Sequence, residues 1–189
     1  MAGVTTASRA GWGVIASSEA MNPDPGNGYV QGASFSNNYT ISNIPTSEWR
    51  DAEISFCFGN QSTWVTNMGF YFNGTTAPMH SSYNYWGWST GSSFGTNYQT
   101  DAYIYPIQFS SYGFTCRLYI SNYSSTSNIK TYSFDWHYSI GHATSYATTG
   151  RGVGQWRSSD PITSITFTEP YNNGSIAYQG YLITGRNPK

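Results

Sequence analysis

Two stretches of this chain alternate apolar and polar side chains residue by residue, and that period of two restricts the fold more than any other feature. In Phe114-Thr115-Cys116-Arg117-Leu118-Tyr119-Ile120, residues Phe114, Cys116, Leu118 and Ile120 share one face, and Thr115, Arg117 and Tyr119 the other. Residues 130–138 repeat the pattern, with Tyr132, Phe134, Trp136 and Tyr138 in one phase and Thr131, Ser133, Asp135 and His137 in the other. A helix cannot sort side chains this way, because its faces recur every ~3.6 residues. Both runs read as half-buried strands with Cys116 on the core side. The loop between them, residues 122–128, is long for a tight hairpin, yet the two runs fit as antiparallel neighbours.

Composition extends this reading to the whole chain. There are 27 Ser, 21 Thr, 15 Asn and 20 Gly, all weak in helix interiors, against two Leu, two Lys and four Glu. A helical bundle is excluded. The 17 Tyr, 10 Phe and 7 Trp suit a pleated, half-buried surface and are too many for a disordered chain. The 189 residues fit one domain, at most two small ones, large enough to close a core without metal or disulfides.

Further strand-like runs cover residues 39–44, 54–58, 69–72, 83–88, 102–109, 155–157, 162–168 and 175–183. Pro106 cannot donate to a ladder, so its run belongs at an edge or a bulge. Asn173-Gly174 marks a hairpin between the last two runs, and Gly150-Arg151-Gly152-Val153-Gly154 reads as a flexible loop. The expectation is an all-β fold: an antiparallel, jelly-roll-like β-sandwich of about nine or ten strands. Residues 36–189 would form it. Residues 1–35, with the turn-rich stretch Asn22-Pro23-Asp24-Pro25-Gly26-Asn27-Gly28, would form an extended N-terminal arm that includes Arg9 and Trp12.

Eight basic residues against nine acidic ones leave no electrostatic footprint for nucleic acid or an anionic membrane. No apolar run is long enough for membrane insertion as a helix, and no cationic, apolar, cleavable stretch opens the chain, so no export signal is expected. Cys57 shares its phase with Ser55, opposite Ile54, Phe56 and Phe58, which separates it from Cys116 and predicts two free thiols.

No phosphate loop, H-E-x-x-H or C-x-x-C motif is present. Asp135 and His137, with His142 nearby, share a strand face and suit an acid–base pair or part of a metal site. Too few further ligands stand beside them for zinc, so solvent-facing hydrogen bonding is the reading, as it is for the isolated His80. Glu48 and Glu53 flank Trp49 and Arg50 and read as solubilising a strand end rather than as a glycosidase pair. The expectation is therefore no catalytic, metal or cofactor residues, and no enzyme. Asn-X-Ser/Thr triplets at Asn38, Asn60, Asn73, Asn122 and Asn173 are what chance produces in such a chain.

The aromatic cluster Tyr83-Asn84-Tyr85-Trp86-Gly87-Trp88 puts Tyr83 and Tyr85 in one phase and Trp86 and Trp88 in the other. Three readings stand: rings replacing absent leucines in a core, an anchor for a protein interface, or a stacking platform for a glycan.

Late in the chain, Trp156, Pro161-Ile162-Thr163-Ser164-Ile165-Thr166-Phe167 and Asn173-Gly174-Ser175-Ile176-Ala177-Tyr178-Gln179-Gly180-Tyr181-Leu182 resemble the closing hairpin of small bacteriophage virion β-sandwich proteins, often of marine phages and cyanophages. Phe70-Tyr71-Phe72-Asn73-Gly74, Tyr83-Asn84-Tyr85, Ile120-Ser121-Asn122-Tyr123 and Lys130-Thr131-Tyr132 are similar in order, over residues 39–185. The ending Leu182-Ile183-Thr184-Gly185 departs from the Leu-Tyr-Gly-Ile type of that group. The resemblance implies a non-enzymatic virion protein, made in the host cytoplasm: a capsid decoration or cement protein, or a head-fibre or tail-fibre module. Its implied partners are the major capsid protein or other virion proteins, copies of itself, for which a trimer fits, and a host surface glycan.

Overall fold

In the computed structural model, residues 12–17, 34–36, 38–60, 68–74, 79–87, 93–99, 103–104, 114–140, 146–168 and 175–189 are described. They contain no helix and thirteen strands, more than the nine or ten runs picked out by side-chain pattern. These are β1 (Trp12–Ser17), β2 (Ser34–Ser36), β3 (Asn38–Ile41), β4 (Trp49–Asn60), β5 (Met68–Phe72), β6 (Met79–Gly87), β7 (Ser93–Gln99), β8 (Tyr103–Ile104), β9 (Phe114–Ser121), β10 (Lys130–Ile140), β11 (Tyr146–Trp156), β12 (Ile165–Thr168) and β13 (Ser175–Pro188). They form two antiparallel sheets. The larger runs β1-β13-β4-β9-β10-β11-β6-β7 with β2 also on β13, and the smaller runs β3-β12-β5-β8.

The two alternating runs behave as their pattern requires. β9 and β10 are antiparallel neighbours, with Ile120, Leu118 and Cys116 opposite Tyr132, Phe134 and Trp136. Those six side chains are buried, while Thr115, Arg117, Thr131, Ser133 and His137 are exposed. The loop between the strands is tied down by its own chemistry. Tyr123 Oη donates to Pro45 O at 2.7 Å and Ser124 Oγ to Trp49 O at 2.6 Å. Lys130, fully buried, caps it by donating from Nζ to the carbonyls of Ser125, Asn128 and Ser158 at 2.8, 3.0 and 3.3 Å.

Rings and isoleucines fill the core, because one of the two leucines, Leu182, is exposed and only Leu118 is buried. The smaller sheet meets the larger through them. Phe167 of β12 lies 4.2 Å from Phe56 of β4, centroid to centroid, and Phe70 and Phe72 of β5 pack edge-on against Tyr132, Phe134 and Trp156 at 5.4 to 5.7 Å. Such ring pairs add about 0.5–1.5 kcal/mol each beyond the area they bury.

Three expectations about chain organisation are corrected. Residues 150–154 are no loop but the middle of β11, paired to β10 and β6. Gly150, Gly152 and Gly154 stand opposite Trp136, Phe134 and Tyr132, and a Cβ on Gly150 or Gly152 would come within 1.8 and 2.1 Å of the Trp136 and Phe134 rings. The glycines are the floor on which those rings lie.

The runs flanking Asn173-Gly174 do not form a hairpin, since β12 pairs with β3 and β5 while β13 pairs with β1, β2 and β4. All four β12 residues are buried, so this strand occupies the middle of the second sheet, and the connection carries the chain from one sheet to the other. A turn dipeptide reports a reversal of direction, not a partner. Asn173 and Gly174 themselves lie outside the described residues, as do Pro106 and the stretch Asn22 to Gly28.

Within the segment read as an arm, residues 12–17 and 34–36 are strands on β13 rather than chain projecting from the domain. Trp12 is in register with Arg186, and Arg9 lies outside the described residues.

Candidate functional site

The face of the larger sheet that points away from the core gathers a cluster of charged side chains in this sparsely charged chain. In β4 the inward positions are Ala52, Ile54 and Phe56, so Asp51 and Glu53 point outward, yet both are buried, at 1% and 7% exposure. Their cover is other side chains of the same face. Glu53 accepts from Arg117 Nε of β9 and from Arg186 Nη2 of β13, both at 2.5 Å. Asp51 accepts the Asn122 backbone N–H at 2.8 Å on Oδ1, and on Oδ2 Asn187 Nδ2 at 2.5 Å, Tyr119 Oη at 3.2 Å and Arg50 Nη2 at 3.3 Å.

The Arg186 guanidinium sits 5.5 Å over the Tyr119 ring, a cation–π contact. One register row further, Arg117, Asp135 and Arg151 follow one another across β9, β10 and β11, with Arg151 Nε donating to Asp135 at 2.8 Å. Three of the six arginines, Arg117, Arg151 and Arg186, thus share one face with three carboxylates.

This geometry shapes the electrostatics. Burial pushes the Asp51 carboxyl up, but the Asn122, Asn187 and Arg50 hydrogen bonds and the Arg50 charge outweigh it and hold Asp51 below the ordinary carboxylate range. The Glu53 hydrogen bond and charge raise Arg117. Burial, with the Asp51 charge and hydrogen bond, raises the Tyr119 phenol.

Between these groups lies a hollow of about 220 Å3, lined by Glu53, Arg117, Tyr119, Ser133, Asp135 and Arg186. It is smaller than the roughly 300–1,000 Å3 usual for drug-sized ligands and more polar than such sites usually are. Both Glu53 oxygens are engaged by guanidinium, so what the hollow offers is a fixed array of charge-assisted donors and acceptors.

The residues singled out from sequence fall as follows. Asp135 and His137 do face outward, and each is engaged by β11: Asp135 with Arg151, and His137 Nδ1 with Thr149 Oγ1 at 3.0 Å. His142 lies outside the described residues. Glu53 is corrected: it does not solubilise a strand end but is buried between two arginines from β9 and β13, while Glu48 is exposed ahead of β4.

Tyr83 and Tyr85 occupy β6 register positions opposite Gly152 and Gly150, in the rows of Phe134 and Trp136. Trp86 falls opposite Thr149, in the row of His137 and Thr115, and Trp88 lies outside the described residues. Cys116 is a free, buried thiol, and Cys57 sits opposite Thr115, in the alternate row, as its phase requires.

Asn73, one of the formal glycosylation triplets, is a connector with φ 50°, its Oδ1 accepting from the backbone of Thr163 and Ser164 at 2.9 and 3.1 Å. The described residues contain no group of three or more His, Cys, Asp or Glu arranged to hold a metal.

Sequence reasoning missed the Arg117–Glu53–Arg186 cluster. The available signal was the polar phase of β4, where Asp51 and Glu53 alternate with Ala52 and Ile54. No protein-family model matches the chain, and no curated protein matches it.

Proposed function

We propose that this chain is a non-enzymatic structural protein of a bacteriophage virion, a jelly-roll-like sandwich of its two sheets that docks on the particle as a capsid decoration or cement protein. The supporting observation is the broad outward face of the larger sheet, polar and exposed at Thr115, Thr131, Ser133, Arg151 and Gln155. Its arginines are held in ion pairs with Glu53 and Asp135, and it is interrupted by the exposed apolar Val153. Such a surface suits contact with repeated subunits on a symmetric lattice. Residues 1–11, ahead of β1, would reach the capsid or a neighbouring copy as the anchoring arm, and Trp86, in the outward row of Thr115 and His137, would contribute to an interface.

The test is the copy number per purified virion, by quantitative mass spectrometry against the major capsid protein. Hundreds of copies fit decoration. A few to a few dozen move the protein to a fibre, and absence removes the phage reading. Removing residues 1–11 leaves every described strand in place and should abolish incorporation.

A second reading, a head-fibre or tail-fibre module that recognises host surface glycans, is favoured by the polar hollow. Single sugar sites are weak, so an oligomer such as a trimer would supply the avidity.

A further inference from the structure

The lining of the hollow has hydrogen-bonding capacity left over, and its arrangement selects a ligand. Arg117 spends Nε on Glu53, with both Nη groups still available and the side chain 57% exposed. Asp135 gives one oxygen to Arg151, leaving the other. Ser133 is exposed two positions from Asp135 on β10, in register with Tyr119. Because Arg117 and Asp135 are direct cross-strand partners, spare donors stand beside a spare charged acceptor.

The six lining residues carry two positive and two negative side chains, so nothing in the hollow calls for a net charge on the ligand. An anion would meet the Asp135 carboxylate, and a cation the two guanidiniums. A hydroxyl satisfies both, because it accepts from guanidinium while donating to carboxylate. Two adjacent hydroxyls on a rigid ring repeat the match at the spacing of a cross-strand pair.

We propose that the hollow bounded by Arg117, Ser133 and Asp135 binds one neutral sugar ring through a vicinal diol. Glu53 acts as the positioning residue that clamps Arg117 and Arg186. The assignment rests on the glycan reading and adds to it the place and the ligand chemistry.

The experiment is saturation-transfer difference NMR on the full chain, with methyl glycosides of mannose, glucose, galactose and fucose as probes. Methyl glucuronide and acetate report on anions. A pull-down on purified host polysaccharide runs in parallel. Expected are millimolar binding of at least one neutral glycoside, no gain for the anions, and a loss of at least about tenfold in Asp135→Asn, the scale of one charge-assisted hydrogen bond. Asp135→Asn is at an exposed pair and should unfold at the wild-type temperature within error.

Polysaccharide binding untouched by Asp135→Asn and by Arg117→Met would overturn the hollow while sparing the glycan reading. Binding of neither glycoside nor polysaccharide overturns both. Preference for glucuronide or acetate overturns the neutral-diol assignment. Silent sugars together with weakened docking of Asp135→Asn on purified particles would give the hollow to a protein contact and overturn it too.

Discussion

Replacing Gly152 with alanine tests the packing argument directly. The added Cβ would stand 2.1 Å from Phe134 Cζ and 2.6 Å from Cε1 and Cε2. Carbon atoms rest about 3.5–4.0 Å apart, so the ring or the β11 backbone must retreat by roughly 1.4 Å or more. Phe134 has nowhere to go: it is 1% exposed, stacked on Trp136 at 5.5 Å and edge-on to Phe70 at 5.7 Å. Overpacking of this kind costs about 1–3 kcal/mol, sometimes more, and relief of glycine's chain entropy returns about 0.5–1.

We expect Gly152→Ala to lose about 1–2 kcal/mol, which for a chain of this size lowers Tm by roughly 2–8 °C. Urea melts followed by tryptophan fluorescence and near-UV circular dichroism give the value. A cycle with Phe134→Leu locates its cause: with the ring gone, the same alanine should cost at least about 1 kcal/mol less. A Gly152→Ala protein within about 0.5 kcal/mol of the parent, or a strictly additive cycle, would refute the reading of β11 as a floor for rings.

Three other outcomes follow from buried polar groups. Asp51 is held below its ordinary pKa in the fold, so its stabilisation is complete above about pH 4 and is lost as pH falls through the folded value. Asp51→Asn should flatten that part of an acid denaturation curve while lowering stability at pH 7. Burial and the Glu48 charge raise the Tyr123 phenol to about 12, so its contribution is intact below pH 10 and declines by about 1.4 kcal/mol per pH unit from there to the folded value. Urea midpoints of Tyr123→Phe across that interval should show a shallower alkaline decline than the parent. Lys130→Met keeps the stem but strips three carbonyls of their donor, and should cost about 1–3 kcal/mol and speed hydrogen exchange in residues 122–129. Unchanged exchange there would mean that the ammonium does not tie the loop.

What was legible in the sequence was local. The phases of β9 and β10 were readable because each strand has one face in the core and one in water, so polarity marks every second residue. β11 was not, because its inward residues are glycines, and a glycine carries no polarity to read. Its signal was relational: glycines at 150, 152 and 154 repeat the period of Tyr132, Phe134 and Trp136 on the preceding strand. β12 was found but assigned the wrong neighbour, since pairing depends on which sheet buries Ile165 and Phe167, and a turn dipeptide carries no such information. The polar hollow was hidden for a similar reason. Its groups come from β4, β9, β10 and β13, and Arg186 is 133 residues from the Glu53 it clamps.

The cluster itself is poorly explained by stability. Buried ion pairs repay their desolvation only when every lone pair is met, and exchanging them for apolar groups of the same volume is often neutral or stabilising. A chain that fills its core with rings and isoleucines had the means to cover β4 with more of the same. Instead it buries Asp51 and Glu53 beneath arginines on the outward face, where a solvated serine or threonine, as at Ser55, would have served solubility at no desolvation cost. What the carboxylates do achieve is restraint. Glu53 fixes two guanidiniums from different strands, and Asp51 fixes Tyr119, Asn187 and the turn at Asn122 around them. Fixed donors lose little freedom when a partner arrives, which is the condition under which a small polar surface can discriminate among ligands. The charge economy of the chain and the shape of the hollow thus have one cause: a few ions held still on an otherwise neutral sheet.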